Sequence, residues 1–427
     1  MSDLISVEDA LERILAQFKP LDAERVPLLA ALDRVVTADI VADAHIPPFD
    51  NSAMDGYAVI AADTEQVPAT LRVIGNVAAG ETPDALCVTR GTSVRIMTGA
   101  PMPAGADAVV RFELTSEVET LQSPRSEAEW DATSLRQRND TVQILYTVNA
   151  GDNVRRAGED VTRGQVVVKF GAVVRPQEIG MLAALGQSEV NVHRKPRVAI
   201  LATGDELVGI DEPLAPGKIR NINEHTTAAM VMRYGGVPIR LGIARDRIEH
   251  LTAKVNEGLA QSPDLFLTSA GVSVGDFDIV KDVLASEGRM EFWSVAIKPG
   301  KPMAFGHIRG VPLIGLPGNP VAAMVSFEQF VRPALLKMAG RRVWRKPTVK
   351  AIAQEAVENS GRRNYVRAVV ERCGDAYHVH TAGEQGSGVL TSMVRANALL
   401  IVPEGVSQIR VGDTVDVQML DWSAEHF

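Results

Sequence analysis

The sequence predicts a multidomain α/β and β protein. It has a central parallel α/β sheet domain, a discontinuous helical region, a small β domain and a C-terminal β-barrel-like domain. Three observations lead there. A chain of 427 residues is long enough for roughly three domains at about 150 residues each. Apolar runs alternate with helical stretches from 197 to 338, which is the βαβ rhythm of a parallel sheet covered by helices. On either side, the segments are short, β-like and punctuated by Gly and Pro.

In chain order, Ser6 with Asp9 three residues later resembles a capping box, and Leu11, Ile14, Leu15 and Phe18 recur at helical spacing. Pro47 and Pro48 forbid continued helix and set a boundary near residue 50. Tyr57 to Ile60, Leu71 to Ile74, Ser93 to Met97 and Ala108 to Glu113 read as strands of the small β domain. Residues 116–141 carry few apolar side chains and read as a mobile insertion, because they cannot bury enough surface to offset their ordering entropy. Pro176 to Leu185 reads as a helix able to pack beside the N-terminal one. The resulting domains are 1–50 plus 153–195 (helical and linker), 51–152 (small β), 196–340 (α/β) and 341–427 (terminal β).

Composition excludes several classes. Hydrophobic residues make up 46% and charged residues 23%, ordinary values for a folded chain. Forty-four basic against 53 acidic residues give a net charge of −9, which argues against a broad nucleic-acid surface. Two cysteines, Cys87 and Cys373, supply neither a disulfide framework nor a thiolate zinc site. Asp3 stands where a secretory signal carries a base, and no apolar run approaches the ~18 residues that span a bilayer, so a cytoplasmic location and no membrane contact are expected. His378 and His380 share a strand face with no third ligand at zinc spacing, and read as exposed strand residues. The Gly300-Lys301 pair precedes Pro302, so no Walker A motif is present.

The 35 Gly and 23 Pro must instead serve specialised loops. Four of these follow strands of the α/β region: Thr203-Gly204-Asp205-Glu206, Ala244-Arg245-Asp246, Thr268-Ser269 through Asp278, and Gly315-Leu-Pro317-Gly318-Asn319-Pro320. Open α/β sheets bind ligands outside the carboxyl ends of their strands, which puts all four on one edge. Glycines let backbone N–H groups approach an anion, so Ser269, Gly271, Ser273 and Gly275 suit a phosphate. Glu206, Asp246, Asp276 and Asp278 beside it suit a hard cation such as Mg²⁺, although each Asp can equally cap the helix that follows. Lys298-Pro-Gly-Lys301-Pro holds two ammonium groups on a stiff loop, which lowers the entropy lost on meeting an anion.

Taken together, Pro47-Pro-Phe-Asp-Asn-Ser-Ala-Met-Asp-Gly-Tyr-Ala58, Arg95-Ile-Met-Thr-Gly-Ala-Pro101, Asn153-Val-Arg-Arg-Ala-Gly-Glu-Asp160, Thr203-Gly-Asp-Glu-Leu207, Gly271-Val-Ser-Val-Gly275, Lys298-Pro-Gly-Lys-Pro302 and Gly315-Leu-Pro-Gly-Asn-Pro320 resemble the molybdopterin molybdenumtransferase family. This is the family of the bacterial MoeA proteins and the gephyrin E domain, and the resemblance runs essentially end to end. It implies a homodimer of elongated four-domain subunits with a molybdopterin-binding, MogA-like α/β domain. It also implies the reaction of adenylylated molybdopterin with molybdate, aided by Mg²⁺, to give molybdenum cofactor and AMP.

By the same resemblance Asp55, Thr98, Lys298, Lys301, Arg367 and Ser387 are catalytic, and Glu206, Asp246 and Asp278 hold the metal. Thr203, Gly204, Asp205, Ser269, Gly271, Ser273, Gly275, Pro317, Gly318, Asn319 and Pro320 bind substrate. The distance in sequence of Asp55 and Thr98 from the sheet suggests a site closed across a domain or subunit boundary. The molybdopterin adenylyltransferase and recipient molybdoenzymes are expected partners. Ala270 departs from the family, which has a second glycine there. A carrier without turnover and an adenylyltransferase are the alternative readings.

Overall fold

The computed structural model describes residues 4–116, 141–269 and 288–421. The expected insertion, the stretch 279–286 (one of the helical stretches in the alternation expected from 197 to 338) and the segment holding Ala270, Gly271, Ser273, Gly275, Asp276 and Asp278 lie wholly or almost wholly outside them. The chain forms two compact units, one of Ala38–Phe170 with Pro176–Ser188, the other of Met1–Thr37, Gly171–Arg175 and Glu189–Phe427.

Five strands make the sheet of the first unit: β1 (Gly56–Val59), β2 (Ala69–Val77), β3 (Thr92–Ile96), β4 (Ala108–Arg111) and β5 (Thr141–Ile144), in spatial order β4-β1-β3-β2-β5. Side chains alternate across a strand, and here both faces are apolar. Tyr57, Val59, Ala108 and Val110 enter one core, while Ala58, Val94, Ile96 and Val109 enter the other. That explains why β1 and β4 read as unbroken apolar runs. Gly56 opens β1 because a Cβ there would lie 2.0 Å from the Val110 carbonyl oxygen.

Helix α1 (Val7–Ala16) is capped by the Ser6 hydroxyl, which accepts from the Asp9 N–H, as the sequence predicts. Its buried residues Val7, Ala10, Ile14 and Leu15 join the core of the second unit, whereas α2 (Pro176–Ala184) belongs to the first, where Met181 packs with Ala42, Val161 and Leu185.

The second unit holds the α/β sheet: β6 (Arg197–Thr203), β7 (Val237–Ala244), β8 (Leu265–Ser269), β9 (Gly288–Ser294), β10 (Pro302–Ile308) and β11 (Val311–Leu316), in order β7-β6-β8-β11-β10-β9. The first four are parallel, as expected. β10 and β9 extend the sheet antiparallel, a pair hidden in the sequence by the intervening Lys-Pro-Gly-Lys-Pro. Helix α3 (Ile222–Arg233) begins where Asn221 caps it by accepting from the Glu224 N–H. α4 (Ile248–Ala260) covers one face of the sheet through Leu251 and Val255. The last helical stretch is α5 (Pro320–Ser326), a π turn at Phe327–Val331 and α6 (Arg332–Met338), packed with α1 on the other face.

The C-terminal strands close a barrel. β12 (Thr348–Ala353), β13 (Arg363–Cys373), β14 (Ala376–Thr381), β15 (Ala398–Val402) and β16 (Thr414–Met419) run β13-β14-β12-β16-β15 and return to β13. Val366, Ala368, Val370, Leu400 and Val417 belong to its core. A short helix, α7 (Leu390–Arg395), which the sequence reading did not include, interrupts the strands.

Glu328, on the π turn, is buried with three partners. Tyr234 Oη donates to its Oε1 at 2.6 Å, and Arg332 Nε and Lys346 Nζ each stand 3.2 Å from Oε2. Burial lowers the pKa of Lys346 and of Arg332, and burial followed by the Glu328 charge raises that of Tyr234. Glu328→Ala leaves two buried cations without their counter-charge and is expected to cost about 3–5 kcal/mol, read by denaturant unfolding. A loss under about 1 kcal/mol removes this cluster from the stability of the fold.

Candidate functional site

In the first unit, three of the matched motifs converge. Asn51 and Ser52 pair with Arg155 and Val154, and the Ser52 N–H donates to Ala100 O while Gly99 N–H donates to Ser52 O. Asp50 joins them by accepting from Arg156 Nη1 at 2.6 Å and from the Ala157 N–H at 2.7 Å. The antiparallel register of β1 and β3 then brings Asp55 to Thr98. Asp55 Oδ1 accepts from the Thr98 N–H at 2.7 Å and from its hydroxyl at 2.8 Å. These two bonds, the backbone one larger, hold the exposed carboxyl below its ordinary pKa.

In the second unit, the parallel register sets Thr203 beside Ala244 and Ala202 beside Ser269, so the expected loops emerge from one edge. The Thr203 hydroxyl donates to Ser269 O at 3.2 Å. Asp205 and Asp246 are tied reciprocally, each backbone N–H donating at 3.3 Å to the other's carboxylate. Gly204 has φ +142°, and a Cβ there would stand 2.4 Å from Glu206 Oε2, so only glycine lets that carboxylate fold back over the turn. Pro317 to Pro320 lead into α5 with Asn319 at its N-cap and Pro320 in its first turn. Asn223 Nδ2 holds the Gly318 carbonyl at 2.7 Å.

The lysine loop meets the same helix. Gly300, at φ +108°, presses on Ser326: a Cβ would lie 2.6 Å from its hydroxyl and 3.7 Å from Pro317. Lys298 is half-buried and pairs in register with Asn364 on β13, while Lys301 is exposed. From the other side, the Val321 N–H donates to Ser387 O at 3.2 Å, bringing the loop at 383–388 onto the start of α5.

Arg367 lies three residues along β13 from Asn364. Alternation turns it away from the barrel core that Val366 and Ala368 enter, yet it is only 1% exposed. Its Nε donates to the Ser392 hydroxyl at 3.2 Å and Nη2 to Gly386 O at 3.1 Å. Gln385 braces its backbone from both sides, accepting from the Arg367 N–H at 2.9 Å and donating to its O at 3.0 Å. No ion pair with a carboxylate is described for it, and burial pushes its pKa down to about 10.

Asp278, Gly271, Ser273 and Gly275 lie outside the described residues. Among the described residues, no group of three or more His, Cys, Asp or Glu stands close enough together to hold a metal ion. His378 and His380 are on β14 as expected, but half-buried where exposure was expected, because β12 and β13 flank that strand. Sequence reasoning passed over Arg245 and Lys218, which grip the Thr203-Gly-Asp-Glu turn, and the Asn221–Glu224 start of α3. The Asn-x-x-Glu spacing was the available signal for the last. Asp205, Lys218, Arg245, Arg247 and His250 are among the residues lining a cleft of about 690 Å³ next to that turn.

Comparison with known proteins covers nearly the whole chain. Residues 5–186 match the MoeA N-terminal region (domain I and II), 199–337 a probable molybdopterin binding domain and 350–420 the MoeA C-terminal region (domain IV). The chain is 35% identical over 420 residues to the molybdopterin molybdenumtransferase of Haemophilus influenzae, covering 97% of this chain and 98% of that one. It is 36% identical over 428 residues to the Bacillus subtilis protein of that name, with 97% and 94% covered. The solved molybdopterin biosynthesis moeA protein from Pyrococcus horikosii superposes with a TM-score of 0.80 at 32% identity, over 99% of this chain and 100% of that one.

Two outcomes follow from the local geometry. Gly300→Ala forces a side chain into a positive-φ position against Ser326 and should cost about 1–3 kcal/mol in denaturant unfolding; a neutral effect removes the close approach as a constraint on the loop. Thr98→Val deletes one of the two bonds to Asp55, so its carboxyl pKa, followed by NMR titration, should rise toward the ordinary ~3.9. A lowered folded pKa gives a stabilisation complete above the unfolded value and lost as pH falls through the folded one. Thr98→Val should therefore shrink that acid-sensitive contribution; an unmoved pKa assigns the depression to the backbone bond alone.

Proposed function

The chain belongs to the molybdopterin molybdenumtransferase family, and from that premise we propose that it inserts molybdenum into adenylylated molybdopterin, consuming molybdate and releasing AMP. The observation that carries the oxyanion half of this reading is Arg367, a buried guanidinium with hydrogen bonds to neutral partners and no described carboxylate. Burying an uncompensated charge is costly, and an arriving dianion supplies the missing counter-charge. Lys298, Lys301 and Ser387 stand on loops that share α5 with the Pro317–Pro320 turn, so fixed donors and cations are preorganised where negative charge arrives.

The pterin and adenylate fall, on this reading, to Thr203, Gly204, Asp205 and Ser269 and to the Pro317, Gly318, Asn319 and Pro320 turn. Gly271, Ser273 and Gly275 are assigned with them from the family resemblance. Mg²⁺ favours oxygen donors and commonly uses one or two carboxylates plus substrate phosphates, so the acids fit it without a three-residue cluster. Glu206 and Asp246, with Asp278, would hold it, and it would neutralise charge building on the phosphate released as AMP. Asp55, whose carboxyl pKa the Thr98 bonds lower, is assigned to turnover from the family resemblance. Family membership also supports a homodimer that receives its substrate from the adenylyltransferase and passes its product to molybdoenzymes.

The test gives purified protein adenylylated molybdopterin, molybdate and Mg²⁺, and follows both AMP release and activation of a molybdenum-free apoenzyme. Both should occur. Tight binding without AMP release identifies a carrier, and formation of the adenylate in a parallel reaction given molybdopterin and ATP, again without AMP release from the adenylate, identifies an adenylyltransferase; either result overturns the proposal. Asp55→Ala and Lys301→Ala should each lower turnover at least tenfold, about 1.4 kcal/mol in the barrier, with the fold intact by circular dichroism. Rates near those of the unsubstituted protein take these residues out of the mechanism.

A further inference from the structure

The turn after β6 is held from inside by cations. Arg245 Nη1 donates to the carbonyls of Leu207 at 2.8 Å and Asp205 at 3.1 Å, and lies 3.5 Å from that of Gly204. Lys218 Nζ adds a second bond to Asp205 O at 2.7 Å. Arg245 is itself anchored, since its N–H donates to His250 Nδ1 at 3.0 Å in the first turn of α4. It is half-buried, surrounded in sequence and space by Asp205, Asp246 and Glu249, and yet no ion pair with any of them is described.

We infer that Arg245 is a positioning residue, which through the carbonyls of the Gly204–Leu207 turn aims the Glu206 and Asp246 carboxylates at a shared divalent cation. The inference rests on the metal assignment proposed above and goes beyond it by naming what sets the site's affinity. In a trans peptide the C=O of one residue and the N–H of the next point in opposite directions. With the Gly204 carbonyl turned toward Arg245, the Asp205 N–H faces the other way, where it meets Asp246 Oδ2 at 3.3 Å. With the Asp205 carbonyl held by Arg245 and Lys218, the peptide that carries Glu206 is fixed in the same sense.

Because the guanidinium bonds neutral carbonyls, no ion pair with these acids is seen among the described residues, while its charge still offsets their mutual repulsion. All three contacts come from the one terminal nitrogen Nη1, and a lysine at this position keeps the charge on a side chain one atom shorter than the one that carries Nη1 to these carbonyls.

The experiment uses the full chain with Arg245→Gln, Arg245→Lys and, as a control lining the same cleft, Arg247→Gln. Amide hydrogen exchange across residues 204–208 is measured without ligands, and Mn²⁺ affinity by electron paramagnetic resonance in the presence of AMP. Arg245→Gln should speed exchange in the turn at least tenfold and weaken Mn²⁺ about tenfold, with Arg245→Lys between it and the unsubstituted protein and Arg247→Gln unchanged. A general loss of structure would spread faster exchange to β6 and α4, whereas a positioning role confines it to the turn. If the unsubstituted protein binds Mn²⁺ and Arg245→Gln leaves both affinity and exchange unaltered, the inference is overturned. If the unsubstituted protein binds no Mn²⁺, the metal assignment fails and takes the inference with it.

Discussion

The parallel pairing of β6 with β7 on one side and β8 on the other is the constraint on which the α/β part of the site depends. Parallel neighbours must end on the same edge of a sheet, so loops far apart in sequence emerge together without contacts of their own making. With Thr203 beside Ala244 and Ala202 beside Ser269, the acid turn, Asp246 and the end of β8 become neighbours by register alone. The chain leaves β6 for β7 and then returns to the other side of β6 as β8, so the strand order reverses there, the kind of point at which open α/β sheets bind ligands. A slip of one residue would exchange the two faces of β6, whose buried residues divide between two cores: Val198 and Ile200 in one, Ala199 and Leu201 in the other.

Closure of the C-terminal barrel adds the cationic side. Val366 and Ala368 fill the barrel, which leaves Tyr365 and Arg367 on the outer face of β13, and Tyr365 joins the core of the α/β part. α7 and the loop at 383–388 cover Arg367, so a position that would be solvated on an open sheet becomes buried. The same strand begins beside Lys298, and the covering loop reaches α5 through Ser387. One strand thus indexes both lysine loop and serine loop, and their spacing is fixed by a rigid ladder.

Much of this was legible because glycine and proline mark places where the backbone must do something unusual. Gly204 and Gly300 occupy positive φ against Glu206 and Ser326, and both fell in loops that stood out by composition. The four parallel strands were readable because strands buried on both faces are continuous apolar runs. β9 and β10 were not, since Pro299, Gly300 and Pro302 suggest irregular chain and an antiparallel edge pair carries no helix to announce it. α7 was hidden for a different reason: six residues are too few for a period of 3.6 to repeat. The partner of α1 was also out of reach, because an amphipathic stripe says that a face is buried but not against what. Arg245 escaped because its bonds go to backbone carbonyls, which every residue has, so no pairing of side-chain types could reveal it.

The charges show how an acidic chain can present locally cationic groups. A net −9 sets the far field, but what a bound anion meets is local. At Glu328 the buried charges are paired within the protein: one carboxylate on the π turn faces both Arg332 and Lys346. At Arg367 and Arg245 the cations are bonded to neutral oxygens, which holds their geometry without cancelling their charge. The distinction separates structure from chemistry. A cation saturated by carboxylates cannot attract an anion, whereas one solvated by hydroxyl and carbonyl oxygens retains its field in a poorly screened interior. Among the described residues Arg367 has no carboxylate partner, so the folded state bears a desolvation cost that an oxyanion, on the proposed reading, would offset on binding.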